Sequence, residues 1–312
     1  MYFALIFIKS HINYLTNWNS KILLGSGFFY LKEAVVWYWA YARIRTYLEL
    51  NQVDVIFYHG EFNSWGLSVS WACRDSGVIA IAWQHGMISP GYEQYNLTDN
   101  DKKCLPLPSK LFLWSDFSKQ IADKFLGGDL QSIKVGQSRI TTSYDSFKKR
   151  NKFKYLICPS KYDSLIVHKF LIKNKTLLST DDRLIYKPHP IGYIKINSSF
   201  KQKYNCVESD INDILDEISV IILSHGTVAI EALRKQIPVI VVNEFCAEEH
   251  LQYLVEMPGL FISRTLQEAL VLLDEIEKKG NKLDRSQFHN TARYFAADLN
   301  VVAVQKVINR LT

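Results

Sequence analysis

The run Val220-Ile221-Ile222-Leu223 followed by Ser224-His225-Gly226-Thr227 and Val228-Ala229-Ile230-Glu231-Ala232-Leu233 restricts the fold more than any other stretch. Four apolar, mostly β-branched residues in succession suit a strand buried on both faces, as in a parallel sheet. The short polar turn behind them has helix-start chemistry, and the apolar spacing after it is helical. Arg234-Lys235-Gln236-Ile237-Pro238 then reads as a helix end and turn, and Val239-Ile240-Val241-Val242 as the next buried strand. A strand–turn–helix unit of this kind gathers backbone N–H groups and hydroxyls at the positive end of a helix, which makes an anion site. Gly226 lets a ligand come close to the backbone, since no Cβ intervenes. The plainer alternative is that Ser224 and Thr227 only cap the helix.

The same grammar recurs along the chain. Residues 19–50 read as a helix, 54–58 as a strand, 63–76 as a helix ending before Gly77, and 78–83 as a strand. Residues 88–108 read as a loop; 110–114, 117–125 and 132–135 follow as strand, helix and strand. Residues 140–152 are polar and basic and mark a domain boundary. Beyond it come strands at 155–158 and 184–186, a helix at 162–174, a short helix at 211–217, and the opening motif. Helices are expected at 248–254, 266–279 and 301–311, the last of them crossing back to the first half. Alternating strands and helices argue for an α/β protein of two doubly wound, Rossmann-like halves, residues 1–145 and 146–312, facing a cleft.

Composition limits the function classes. Forty-eight per cent hydrophobic and 22% charged residues suit a soluble protein with a large core. A net charge of +6, without a dense basic run, excludes an obvious nucleic-acid partner and suits phosphorylated substrates or an anionic membrane surface. The five cysteines lack a CxxC pair and the eight histidines are dispersed, so reduced thiols, a cytoplasmic setting and no metal are expected. Residues 1–8 read as a first strand rather than a signal peptide. No apolar run reaches the roughly 18–20 residues of a bilayer span. The aromatic and aliphatic residues of 28–41, followed by Arg43 and Arg45, read as a buried helix or as a helix lying on the inner membrane leaflet.

Several residues carry candidate chemistry. In Lys187-Pro188-His189-Pro190 the prolines restrain His189, which can donate to a phosphate oxygen, while Lys187 adds a full charge. Gln84-His85-Gly86 lies at a strand end, where open α/β sheets bind ligands, and a neutral His85 can take a proton from an acceptor hydroxyl. Glu61, Glu93 and Asp116 are rival bases, and His59 is a further acceptor contact. Glu231 lies one turn beyond Thr227 on the same helix face, suited to ribose hydroxyls. Gly136, Ser138 and Arg139 are placed to close over the same nucleotide, and Glu248-Glu249-His250 begins a helix near that pocket.

The order Gln84-His85-Gly86, Gly136-Gln137-Ser138-Arg139, Lys187-Pro188-His189-Pro190, Ser224-His225-Gly226-Thr227 with Glu231, then Ile237-Pro238, resembles the GT-B glycosyltransferases of bacterial surface polysaccharides. The groups it is similar to are the capsule and lipopolysaccharide Kdo transferases, the bacterial sialyl- and polysialyltransferases, and the CDP-glycerol glycerophosphotransferases. The resemblance implies phosphate contacts for His189, Ser224 and Thr227, with His225 and Gly226 in the same turn, a ribose contact for Glu231, and His85 as the base. It also implies a CMP-activated donor, such as a Kdo-type ulosonic acid, a glycan or lipid-linked acceptor, and no cofactor. Glycerophosphate transfer, nucleotide-sugar epimerisation and a non-catalytic capsule-assembly scaffold are the alternatives.

Overall fold

The computed structural model describes residues 20–88, 95, 97–126, 130–137, 152–161, 163–174, 178, 181–190, 196, 198–246 and 256–310; side chains are described from Ala34 onward, those of Asn100 and Asn281 excepted. Two all-parallel sheets organise it. The first has the order β1 (Val55–His59), β2 (Ile79–Trp83), β3 (Lys110–Leu113) and β4 (Gln131–Lys134). Helix α1 (Ser20–Asn51) packs on α2 (Ser64–Asp75), whose first turn is capped by the Asn63 side chain. Helices α3 (Asp99–Cys104) and α4 (Asp116–Phe125) flank β3.

The second sheet comprises β5 (Tyr155–Ile157), β6 (Leu184–Tyr186), β7 (Val220–Leu223), β8 (Val239–Val242) and β9 (Leu260–Ser263). Its order is β6-β5-β7-β8-β9. The chain therefore runs outward from β5 to β6 and returns on the other side of β5 to form β7, so the direction of winding reverses between β5 and β7. Connecting helices are α5 (Ser164–Lys173), α6 (Ser198–Lys203), α7 (Ile211–Leu215), α8 (Val228–Arg234), α9 (Leu266–Lys279), α10 (Phe288–Phe295) and α11 (Val301–Ile308). Every residue of β5, β6, β7 and β8 is buried, which is why these strands read as unbroken apolar runs.

The described elements follow the sequence reading closely, with four additions, one of them the short helix α6 (Ser198–Lys203). Segment 99–104, expected as loop, is a short helix stabilised by a Thr98–Asp101 capping box. Strand β9 and helix α10 also lay outside the expected elements. Each is short, and α10 contains Asn, Thr and three aromatic residues, which have little intrinsic helix preference. It forms because Phe288, Thr291, Ala292 and Phe295 bury one stripe, chiefly against α8 and α4. The expected elements at 1–8 and 248–254, and nearly all of the boundary segment 140–152, lie outside the described residues.

The two sheets are joined through shared apolar contacts. Trp114, just after β3, is buried in the cluster that holds Leu156, Ile221, Leu233 and Phe295, and Trp83, Met87 and Phe117 pack against it. After α10 the chain returns to the first sheet, where Val304 and Val307 of α11 lie against Ile81, Phe112 and Val135. Backbone hydrogen bonds fix this return: Ala297 N–H donates to Trp114 O at 2.8 Å, Gln137 N–H to Ala297 O at 3.0 Å, and Asn300 N–H to Val135 O at 2.7 Å. Buried Arg234 at the end of α8 reaches Asp298 at 2.9 Å and donates to Ala296 O at 2.8 Å. The C-terminal half's core helix is thereby tied to the segment that crosses between halves.

Helix α1 is divided. Ala40, Tyr41 and Leu48 are buried, whereas Val35, Val36, Tyr38, Trp39, Tyr47 and Leu50 are exposed, and Arg43 lies over the Trp39 ring. No described helix is long and apolar enough to cross a membrane.

Gly136 sits where the returning chain comes closest. Its φ is +83°, and a Cβ built there would lie 2.1 Å from Asp298 O. Gly86 has nothing within 4 Å of such a Cβ. We expect Gly136→Ala to lower unfolding stability by about 1–3 kcal/mol and Gly86→Ala by far less, measured by urea denaturation; equal effects would mean that the return segment does not press on Gly136.

Candidate active site

At the carboxyl ends of β5, β6 and β7 lies a cleft of about 450 Å³. This is the winding-reversal position of the sheet, where open α/β folds place ligands, because the loops from adjacent strands diverge there and leave a crevice. One wall is Lys187, Pro188, His189 and Pro190; the facing wall is Thr227, Val228 and Glu231; Cys158 and the segment 208–211 complete it. The strand ladder extends to the rim. Lys187 N–H donates to Ile157 O, Cys158 N–H to Ile222 O and Val207 N–H to Tyr186 O, each at 3.0 Å. The site residues thus stand on hydrogen-bonded backbone.

The groups in the cleft divide by charge. Lys187 Nζ donates to Ser209 O at 2.6 Å, fixing the ammonium beside segment 208–211. Thr227 occupies the cap position of α8, yet its hydroxyl makes no capping hydrogen bond. Gly226 has φ +134° and open space where a Cβ would be, so backbone at the turn is accessible. His189 has its pKa lowered, first by burial and then by the positive charge of Lys161, which favours the neutral imidazole as a hydrogen-bond donor. Glu208, Asp210 and Glu231 contribute carboxylates. The Cys158 thiol is pushed up to about 12 by burial, so it is a packing residue rather than a nucleophile.

Ser224 and His225 are placed differently from Thr227. Neither lines the cleft. Ser224 is buried, and its hydroxyl donates to Oδ2 of fully buried Asp163. The Ser160 hydroxyl donates to the same oxygen at 2.5 Å, and His225 Nδ1 lies 3.2 Å from it. Burial opposes charge on His225, but hydrogen bonding to Asp163 and Cys246, together with their charges, outweighs it and raises the pKa to about 9. Burial likewise opposes charge on Asp163, and hydrogen bonds from His225, Ser160 and Ser224 overcome it, so its pKa lies below the usual carboxylate range. The loops after β5 and β7 are fastened together beneath the cleft by this polar network.

A second constellation lies in the first half. Gln84 is buried and organises its loop, its Nε2 donating to Gly86 O at 2.8 Å and Ser118 Oγ at 3.2 Å, and its Oε1 accepting from Trp114 N–H at 2.8 Å. His85 projects outward, with its side chain 55% exposed and Nδ1 3.1 Å from Glu61 Oε2. Glu61 is 2% exposed and also accepts from the Tyr95 hydroxyl. It therefore stands behind His85 as its buried carboxylate partner.

The remaining candidates disperse. His59 is exposed, with its ring 6.5 Å from that of Trp83. Asp116 forms a surface ion pair with Lys134 at 2.5 Å. Gly136 does not line the cleft and packs against Asp298. Ser138, Arg139, Glu93 and Glu248-Glu249-His250 lie outside the described residues. Residues absent from the sequence reading are Ser160, Lys161, Asp163, Glu208, Ser209 and Asp210. Only Asp210 carried a local signal, as an Asp heading the 211–215 helix, whose Asn212 N–H it accepts at 2.8 Å.

No protein-family model matches the sequence, and no curated protein does. Solved structures do match. The Anabaena protein HepE in complex with UDP-glucose is similar at 12% identity and TM-score 0.54, with 87% of this chain and 81% of that one covered. The UDP-GlcNAc 2-epimerase of Neisseria meningitidis bound to UDP-GlcNAc gives 12% and 0.53, with 89% and 82% covered. The glycotransferase of kitacinnamycin gives 14% and 0.54, with 87% and 79% covered. At such identities the likeness concerns the fold, and it bears out the two-domain GT-B architecture read from the sequence.

Removing Asp163 strands the partly buried His225 and the buried Ser224. We expect Asp163→Ala to cost about 3–5 kcal/mol of stability by chemical denaturation, as for a broken buried ion pair; a loss of under about 1 kcal/mol, the range of an exposed pair, would deny the network its fastening role.

Proposed function

We propose that the protein is a nucleotide-sugar glycosyltransferase whose donor phosphate occupies the cleft at the ends of β5, β6 and β7. The observation that carries this is the meeting of Lys187 and His189 with Thr227 and Glu231 around one cavity. Those residues come from two loops about forty positions apart in sequence. Lys187, the His189 N–H and the Thr227 hydroxyl are donors suited to phosphate oxygens, while Glu231, one turn into α8, is an acceptor suited to ribose hydroxyls. Such fixed donors stabilise negative charge as it gathers on the departing nucleotide.

In this reading His85 is the general base. Glu61 accepting from Nδ1–H leaves Nε2 to take the proton of an acceptor hydroxyl, and the carboxylate offsets the charge that then forms on the ring. The acceptor is a glycan or a lipid-linked glycan. Exposed Tyr38 and Trp39 with Arg43 on α1 would suit contact with an anionic bilayer carrying that lipid. For the donor we favour a CMP-linked ulosonic acid such as Kdo, on the resemblance of the sequence motifs. The HepE and Neisseria structures hold UDP-sugars, so uridine donors are the direct comparison. A nucleotide-sugar epimerase is the second reading, since one of the similar folds is such an enzyme.

Two measurements test this. His189→Ala should lower transfer about 10²–10³-fold with an unchanged circular dichroism spectrum, the loss typical of one electrostatic donor to a developing anion; normal turnover would remove the mechanism. Glu231→Ala should weaken nucleotide binding about 10-fold or more by calorimetry, the value of one or two hydrogen bonds to a charged group. Titration with CMP and UDP side by side decides the donor, and sugar interconversion without an acceptor would favour the epimerase.

A further inference from the structure

Three side chains from separate loops converge on the polar network beneath the cleft. Asp163 follows β5, His225 follows β7, and Cys246 follows β8, each beyond the carboxyl end of its strand. The sequence separates them by 62 and 21 positions, yet one ligand atom from each lies within 4.8 Å of the others. Asp163 is fully buried; His225 and Cys246 are partly buried. Cys246 forms no disulfide. These three groups take no part in the nucleotide contacts described above.

Carboxylate, imidazole and thiolate together are a donor set for a borderline-soft ion. Magnesium and calcium need six or more oxygen ligands, which this cluster does not offer, whereas zinc takes N, S and O donors tetrahedrally. The spacing agrees. Two ligands at about 2.0–2.1 Å from a tetrahedral zinc stand about 3.3 Å apart, and His225 Nδ1 lies 3.2 Å from Asp163 Oδ2. The hydroxyls of Ser160 and Ser224 both donate to that same Oδ2 and hold the carboxylate's orientation.

We propose that Asp163, His225 and Cys246 form a three-ligand site for zinc or a similar divalent transition ion, with the fourth position open to water. An ion here ties the loops after β5, β7 and β8 to one point, two residues before Thr227 of the cleft, and so fixes the wall on which that hydroxyl stands. The site is independent of the donor assigned above, and its test needs no substrate.

The full-length protein, stripped with chelator under reducing conditions, is titrated with cobalt(II) as a spectroscopic substitute for zinc. One equivalent should bind, with tetrahedral visible bands and a thiolate-to-cobalt charge-transfer band. Cys246→Ser should abolish the charge-transfer band, Ser224→Ala should weaken affinity about 10–100-fold as for an outer-shell partner, and Cys104→Ser, at an exposed thiol, should change nothing. Absence of stoichiometric binding, or a charge-transfer band surviving in Cys246→Ser, overturns the proposal. Should Cys246→Ser fail to fold, thiol alkylation of the wild-type chain decides. Zinc should protect Cys246 and leave Cys104 reactive, and equal labelling of Cys246 with and without zinc sinks the site.

Discussion

The structure depends first on the pairing of β5 with β7. These strands are adjacent and parallel, with Tyr155 beside Val220 and Ile157 beside Ile222, although β6 and three described helices lie between them in sequence. Because both are buried on each face, a one-residue slip would carry every side chain into the opposite core and break the packing on both sides. Their carboxyl ends are therefore held level. From that edge one loop turns toward β6 and the other enters α8, and the gap between them is the cleft. Shape and position of the site follow from strand order before any side chain is considered.

The network around Asp163 converts that gap into a defined cavity. Parallel strands end in backbone groups that need partners beyond the sheet, and loops leaving in opposite directions tend to splay. A buried carboxylate serving Ser160, Ser224 and His225 pins them across the β5–β7 boundary. Ser224 is buried and Ser160 and His225 are partly so, and a buried carboxylate is favourable only with its partners in place. The same carboxylate links the cleft wall and the candidate ion site.

Much of this was legible in the chain, for identifiable reasons. Strands buried on both faces leave unbroken apolar runs, so β7 and β8 were readable to the residue. His-Pro and Gly-Thr segments at strand ends pointed to the cleft wall because strand ends are where such folds bind. What escaped depends on distance rather than pattern. Asp163, His225 and Cys246 have no metal-ligand spacing, since each comes from a different loop and only the sheet order makes them neighbours. Glu61 could be ranked only as a competitor of His85, because the approach of the loops after β1 and β2 is a tertiary fact. Ser224 and Thr227 look equivalent in sequence, yet strand direction sends one hydroxyl inward to Asp163 and leaves the other on the cleft.

The charge pattern of the cleft narrows what can bind. A site of cations alone would accept any polyanion, yet here Lys187 and a neutral His189 face three carboxylates, Glu208, Asp210 and Glu231. A free polyphosphate brought into that space meets like charge on most sides. A ligand with few phosphate charges and several hydroxyls satisfies both sets, its anion toward Lys187 and Thr227, its donors toward the carboxylates. A neutral His189 has the same effect, since its imidazole can donate a hydrogen bond without adding a second full charge to the cleft. Under the proposed function, that balance of donors and acceptors suits a nucleotide-sugar better than a simple phosphate.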